Sequence, residues 1–208
     1  MNIYVISLIE RKDRMKLFLQ QSTEQNIDYK LIEAIDGREL DTDLWIEKYD
    51  NRLLKKGEIG CYMSHYEIYE KEYDLGINDF IIFEDDCRVV DKYWDRVEEV
   101  KNNTPDDWDI IMLGTTHVFK NKYIKNCKVL YENNFVLKIQ GDIYGAHNYI
   151  VKRKAVATLI QTKFPINVPI DIKINNLGLN VYITKKQIST QRRMGNQTHF
   201  LKNYTTID

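Results

Sequence analysis

The sequence predicts an α/β fold in which a mixed, mostly parallel sheet is flanked by helices, and two observations carry that reading. Apolar runs of strand length occur at residues 3–8, 80–83 and 108–113. Between them lie segments whose apolar residues recur at helical spacing: Met15, Phe18 and Leu19 in one, and Ile59, Tyr62, Met63, Tyr66, Tyr69 and Tyr73 in another. Strands alternating with helices are the pattern of a sheet whose crossover connections pack on its faces.

In chain order, residues 3–8 read as a buried first strand, short and β-branched, followed by the polar turn Ile9-Glu10-Arg11-Lys12-Asp13. A helix comes next and loses its pattern near Gln25-Asn26. Residues 29–34 form a second strand, and Ile35-Asp36-Gly37 ends it with an Asp-Gly turn signal. The tyrosine-rich helix opens near Gly57 and closes near Gly76. Residues 80–83 then form a continuous apolar strand that stops abruptly at Glu84-Asp85-Asp86. A helix over 93–101 and a buried strand over 108–113 ending at Gly114 follow. Residues 115–128 have no period and carry four lysines, which predicts a long loop and a candidate lid. Strands at 135–139 and 144–151, helices at 154–161 and 171–177, and a last strand at 181–184 complete the pattern. No internal repeat or low-complexity segment interrupts it.

A length of 208 residues predicts one domain over 1–208, with a basic C-terminal segment at about 185–208. Such a domain buries roughly 70% of the surface its unfolded chain would expose. Hydrophobic residues at 43%, charged residues at 29% and only three prolines exclude a disordered or linker-like chain. Cys61, Cys87 and Cys127 have no CxxC spacing and are odd in number, which suits a reducing compartment. The first residues lack a basic leader and a cleavage site, and no apolar run approaches the ~20 residues of a membrane span. A cytoplasmic protein is expected, with room for peripheral contact at the inner face of the membrane. The net charge of −1 hides a division: residues 1–108 hold 15 Lys and Arg against 26 Asp and Glu, and residues 109–208 hold 15 against 5. The basic half could face an anionic surface, or the two halves could simply attract each other.

Glu84-Asp85-Asp86 is the strongest chemical signal. Ligands of open α/β sheets bind beyond the carboxyl ends of strands, and adjacent carboxylates there repel one another unless a cation or protons neutralise them. Oxygen ligands of this kind suit a hard divalent ion, Mg²⁺ or Mn²⁺, with phosphate oxygens completing its shell. The alternative is a solvated acidic turn. Arg11 and Arg14 follow the first strand and could reach a nucleotide's phosphates at the same sheet edge, or be ordinary surface arginines. His65, His117, His147 and His199 are too dispersed for a spaced zinc motif, and each alone fits a structural histidine. No GxSxG elbow, Walker loop or GxGxxG turn is present, which sets aside serine hydrolases, P-loop NTPases and dinucleotide oxidoreductases.

Several segments, in order, together resemble glycosyltransferase family 25, the bacterial lipooligosaccharide galactosyltransferases and their collagen-modifying relatives. Tyr4-Val5-Ile6-Ser7-Leu8 with Arg11 and Arg14 looks like the family's opening, although Ser7 stands where the family usually has Asn. Ala34-Ile35-Asp36-Gly37-Arg38-Glu39 looks like its Ala-x-Asp-Gly segment. Gly57-Glu58-Ile59-Gly60-Cys61-Tyr62-Met63-Ser64-His65 is similar to its most distinctive motif. Ile82-Phe83-Glu84-Asp85-Asp86, Leu113-Gly114, Tyr144-Gly145-Ala146-His147-Asn148-Tyr149 and Pro169-Ile170-Asp171 follow. The likeness runs over about residues 3–190.

The resemblance implies a GT-A, Rossmann-like domain that binds a nucleotide-sugar donor, such as UDP-galactose, and transfers the sugar with inversion onto a glycan or lipooligosaccharide acceptor. Nucleic acid is not an expected partner. It implies that Glu84 and Asp86 act as an Asp-x-Asp equivalent, with Asp86 holding the metal and Glu84 contacting ribose or a metal-bound water, or joining Asp86 on the metal; a metal site assembled from distant residues could also recruit a histidine, His199 being the candidate. Ser7, Arg11, Arg14, Asp36, Gly37, Glu58, Ser64, His65, Glu84 and Asp85 would then line the donor site, Ser64 and His65 alternatively capping and packing their own helix. An inverting transfer needs a base for the acceptor hydroxyl, and Asp171 is the first choice. Its alternative is the cap of the helix that begins there.

Overall fold

The structure, a computed structural model, describes residues 1–41, 53–76, 79–116 and 128–192. The candidate lid at 115–128 and the basic segment beyond Arg192 therefore lie mostly outside the described residues, and His199 lies wholly outside them.

Ten strands and five α-helices are described: β1 Asn2–Ser7, α1 Lys12–Glu24, β2 Lys30–Glu33, α2 Lys56–Leu75, β3 Phe80–Glu84, β4 Cys87–Val89, α3 Tyr93–Asn102, β5 Ile110–Gly114, β6 Lys128–Glu132, β7 Val136–Gln140, β8 Asn148–Val151, α4 Val156–Gln161, α5 Ile170–Asn176, β9 Val181–Thr184 and β10 Ser189–Gln191. Eight of the strands form one sheet in the order β2-β1-β3-β8-β5-β9-β7-β6, and β10 pairs with β4 in a small antiparallel ribbon. β1 is parallel to β2 and β3, and β5 is parallel to β9. β8 runs antiparallel to both β3 and β5, and β7 runs antiparallel to β9 and β6. Followed across the sheet, six strands point one way and only β8 and β7 point the other. The mixed, mostly parallel sheet expected from the sequence is present.

Period-2 alternation divides the sheet's side chains between two cores. Tyr4, Ile6, Phe80, Ile82, Met112 and Tyr149 face a layer of α2, α4 and α5, which contributes Tyr62, Tyr66, Tyr69, Leu159 and Ile170. Ile3, Val5, Ile81, Phe83, Ile111 and Ile150 face α1 and α3, where Phe18, Tyr93 and Val97 cover them. Because both faces are covered, the central strands read as continuous apolar runs.

α2 is the longest helix among the described residues. Its start is capped by the Glu58 carboxylate, which accepts the Lys55 N–H at 2.7 Å, and its end turns at Gly76 in the left-handed region, φ 63°. The short 3₁₀ turn Gly37–Glu39 presses against its first turns. A Cβ on Gly60 would come within 3.2 Å of the Gly37 Cα, and one on Gly37 within 2.9 Å of the Gly60 nitrogen. Ser64 ties the two together, donating to the Gly60 carbonyl at 2.7 Å and accepting the Ile35 N–H at 2.8 Å.

Candidate functional site

The strand directions bring chemically distinct segments to one sheet edge. β1 ends there at Ser7, β3 at Glu84 and β5 at Gly114, while the reversed β8 begins there, so His147 and Asn148 arrive from the opposite chain direction. Main-chain bonds lock the junction: Glu84 N–H donates to the His147 carbonyl at 2.9 Å, and Asp85 N–H to the Ile6 carbonyl at 3.1 Å. This is the edge at which open α/β sheets bind ligands.

The three carboxylates have different surroundings. Asp85 accepts the Ser7 hydroxyl at 2.7 Å and one Arg14 N–H at 3.0 Å. Asp86 accepts the same Arg14 nitrogen at 3.0 Å and the Gln191 amide at 3.2 Å, through Oδ2. Its other oxygen, Oδ1, is buried with no hydrogen-bond partner among the described residues. Burial first, and the charge of Glu84 second, push the Asp86 carboxyl up to about 7, even with Arg14 opposing them. Glu84 is the most exposed of the three at 20% of its side chain. Its Oε1 is 3.4 Å from both the His65 Nε2 and the Cys61 Sγ. Burial disfavours its charge, but the His65 contact and the fields of His65 and His147 outweigh burial and hold its carboxyl below the ordinary value.

Buried aromatic groups orient these residues from behind. The Tyr149 hydroxyl lies 2.7 Å from His65 Nδ1 and 2.5 Å from the Tyr69 hydroxyl. His147 is fully buried beside Gly114, both of its ring nitrogens lack a hydrogen-bond partner of good geometry among the described residues, and the Ser189 main chain interacts with its ring. Burial pushes its imidazole down, toward the neutral form. On the other side, Asp171 accepts the Gly145 N–H at 2.7 Å and the Ile172 N–H at 2.9 Å. Burial raises its carboxyl above the ordinary value, and the charge of Glu84 adds to that rise. The cap position of α5 belongs to Pro169, so Asp171 sits inside the helix and spends its carboxylate on the Gly145 loop.

The residues singled out from sequence thus fall into two groups. Ser7, Arg14, Asp85 and Asp86 form one hydrogen-bonded network, His65 and Glu84 form a second beside it whose charge reaches Asp86, and Asp171 is within electrostatic reach of Glu84. Arg11 instead pairs with exposed Asp13 at 3.0 Å, although it also feels the charges of Asp85 and Asp86. Asp36 caps the 3₁₀ turn through the Arg38 N–H at 2.9 Å, Gly37 and Ser64 dock that turn on α2, and Glu58 caps α2. Cys61 and Tyr149, which the sequence offers only as members of longer motifs and not as site residues, join the Glu84–His65 pair, and Gln191, which it does not single out, joins Asp86. Cys61 has a signal that could have found it, since it stands four residues before His65 on one helical face; the other two are brought in only by long-range strand pairing.

A family model described as "Glycosyltransferase family 25 (LPS biosynthesis protein)" matches residues 1–174. Procollagen galactosyltransferase 2 of Homo sapiens is 31% identical over 126 residues, covering 54% of this chain and 20% of that protein. A protein named "Inactive glycosyltransferase 25 family member 3", also of Homo sapiens, is 34% identical over 134 residues, covering 58% and 22%. A glycosyltransferase 25 family member of Aedes aegypti is 26% identical over 195 residues, covering 84% and 31%. The chain spans between a fifth and a third of the length of these curated relatives. The match from residue 1 to residue 174 takes in the strand-end acids, the α2 motif, the His147 segment and Asp171, and by it this chain belongs to glycosyltransferase family 25.

Proposed function

We propose that this chain is an inverting, metal-dependent glycosyltransferase that moves a sugar, galactose from UDP-galactose, onto a lipooligosaccharide or other glycan acceptor. The observation that carries the reading is Asp86: a buried carboxylate with one oxygen unpartnered among the described residues, preceded by two further acids at a strand's carboxyl end. Those residues fit a hard divalent cation, Mn²⁺ or Mg²⁺, which Asp86 and Glu84 would hold. When bound, such an ion stabilises the negative charge that develops on a departing nucleotide diphosphate.

The chain's own groups divide the remaining work. Arg14 holds Asp85 and Asp86 in one orientation and tempers their repulsion. Ser7 fixes the far oxygen of Asp85. His65, steadied by Tyr149, positions Glu84. Asp171 is the base: its carboxylate, rigidly held by two N–H groups, takes the acceptor hydroxyl's proton as that oxygen attacks opposite the leaving group. The lysine-bearing stretch 115–128 and the basic segment 192–202 supply positive charge for an anionic acceptor or for the membrane surface that carries it.

The names of several relatives favour a second reading, a donor-binding domain without turnover. A donor screen with and without Mn²⁺, measuring nucleotide release with and without glycan acceptors, separates the two. Metal-dependent release that requires acceptor and disappears in Asp86→Asn is expected. Donor binding with no release under any acceptor would establish the second reading, and wild-type turnover in Asp86→Asn would remove Asp86 from the site.

A further inference from the structure

We propose that Cys61, His65 and Glu84 form a second metal site on this chain, selective for a thiophilic ion such as Zn²⁺ and distinct in ligand chemistry from the all-oxygen set around Asp86. Sγ, Nε2 and Oε1 of the three residues lie within 4.8 Å of one another. Sγ to Oε1 and Nε2 to Oε1 are each 3.4 Å. The Nε2 separation is long for a charge-assisted N–H bond to a carboxylate, which centres on about 2.7–2.9 Å, while the Sγ separation is one that a hydrogen bond from the larger sulfur also spans. They match a tetrahedral ion: bonds of about 2.3 Å to sulfur and about 2.0–2.1 Å to nitrogen and oxygen place ligand atoms roughly 3.3–3.6 Å apart.

Three further features fit. Cys61 and His65 are four residues apart on α2, which stacks their donor atoms on one helical face. His65 presents Nε2 because its other ring nitrogen is engaged by Tyr149, whose hydroxyl is in turn bonded to Tyr69; metal-binding histidines are anchored through their second nitrogen in this way. Cys61 and Glu84 are both partly exposed, so an ion can enter and a fourth position stays open. Binding converts the Cys61 thiol to a thiolate, its proton leaving to solvent, and thiolate with imidazole favours Zn²⁺ over Mn²⁺ or Mg²⁺. Since Glu84 serves both sets of ligands, Zn²⁺ here withdraws it from the donor side and inhibits transfer. That consequence alone rests on the function proposed above.

The test is Co²⁺ titration of the full chain, followed by displacement with Zn²⁺. One equivalent of Co²⁺ should produce a thiolate-to-metal charge-transfer band that Zn²⁺ abolishes. Cys61→Ser should lose the band and bind Zn²⁺ at least about tenfold more weakly, and Tyr149→Phe should keep the band with affinity about 10–100-fold lower. The Tyr149 variant carries the test if Cys61→Ser fails to fold. No thiolate band in the parent, a band that survives in Cys61→Ser, or unchanged affinity in Tyr149→Phe overturns the site. These readouts are independent of turnover: an absence of transfer in the donor screen counts against the proposed function and leaves the thiolate band unaffected.

Discussion

Asp171 shows how burial and hydrogen bonding pull on one carboxyl. Two N–H donors favour its charged form, yet burial and nearby Glu84 win, so its folded value lies above the ordinary 3.8. For stability the sign follows directly: the neutral form is the better-accommodated one, so its contribution is complete below pH 3.8 and is lost as pH rises through the raised value. For a base the direction is opposite, since only the charged form accepts a proton. The acid limb of kcat should therefore lie above pH 3.8 and be absent from Asp171→Asn. That variant keeps an oxygen for the Gly145 N–H, so Tm and donor Kd should hold while kcat falls by about 10²–10⁴. Transfer within a few-fold of the parent would eliminate Asp171 and turn attention to His147, whose ring nitrogens have no hydrogen-bond partner of good geometry among the described residues. At this scale the acids themselves are legible in the sequence, because three adjacent carboxylates after an apolar run have few structural uses. Gln191 is not, since it reaches Asp86 from 105 residues away.

Among the elements, the contact of the 3₁₀ turn with α2 makes a sharp paired prediction. Gly60→Ala drives a methyl into the Gly37 main chain, whereas a Cβ on Gly57, three residues earlier in the same helix, has nothing within 4 Å. The first substitution should cost about 1–3 kcal/mol, the overpacking range, and lower Tm by several degrees. Gly57→Ala should be neutral or stabilise by up to about 1 kcal/mol, as alanine does in a helix. Equal melting temperatures would refute the close approach. Most elements are legible in the sequence because their apolar period is long or their ends are marked: α2 runs between glycines, and β9 has the bounds that its apolar run predicts, Val181–Thr184. The elements that escape a reading of the sequence do so for a common cause. β4 and β10 are three residues each, too short to show alternation, and all five residues of β6 are exposed, so no buried face marks it. Residues 144–147, predicted as strand, instead bend through Gly145, φ 95°, leaving β8 to begin at Asn148.

Across the whole molecule, the charge division bears on the acceptor. With 15 basic residues against 5 acidic ones in residues 109–208, attraction to an anionic acceptor should weaken as salt screens it. Acceptor KM should rise between low and high ionic strength more than donor KM does, and a flat acceptor KM would leave the basic half without that role. The reversed strand β8 has a different kind of consequence. Among the described strands it alone joins β2, β1 and β3, built from residues 2–84, to β5, β9, β7 and β6, built from residues 110–184. Until residues 148–151 dock, β3 and β5 each carry a bare edge able to pair with another chain. A nascent chain emerging from the ribosome therefore carries bare sheet edges from the synthesis of β3 until β8, and then β9, have docked, and it is the arrival of β8, a pairing of high contact order, that first sets His147 beside Glu84.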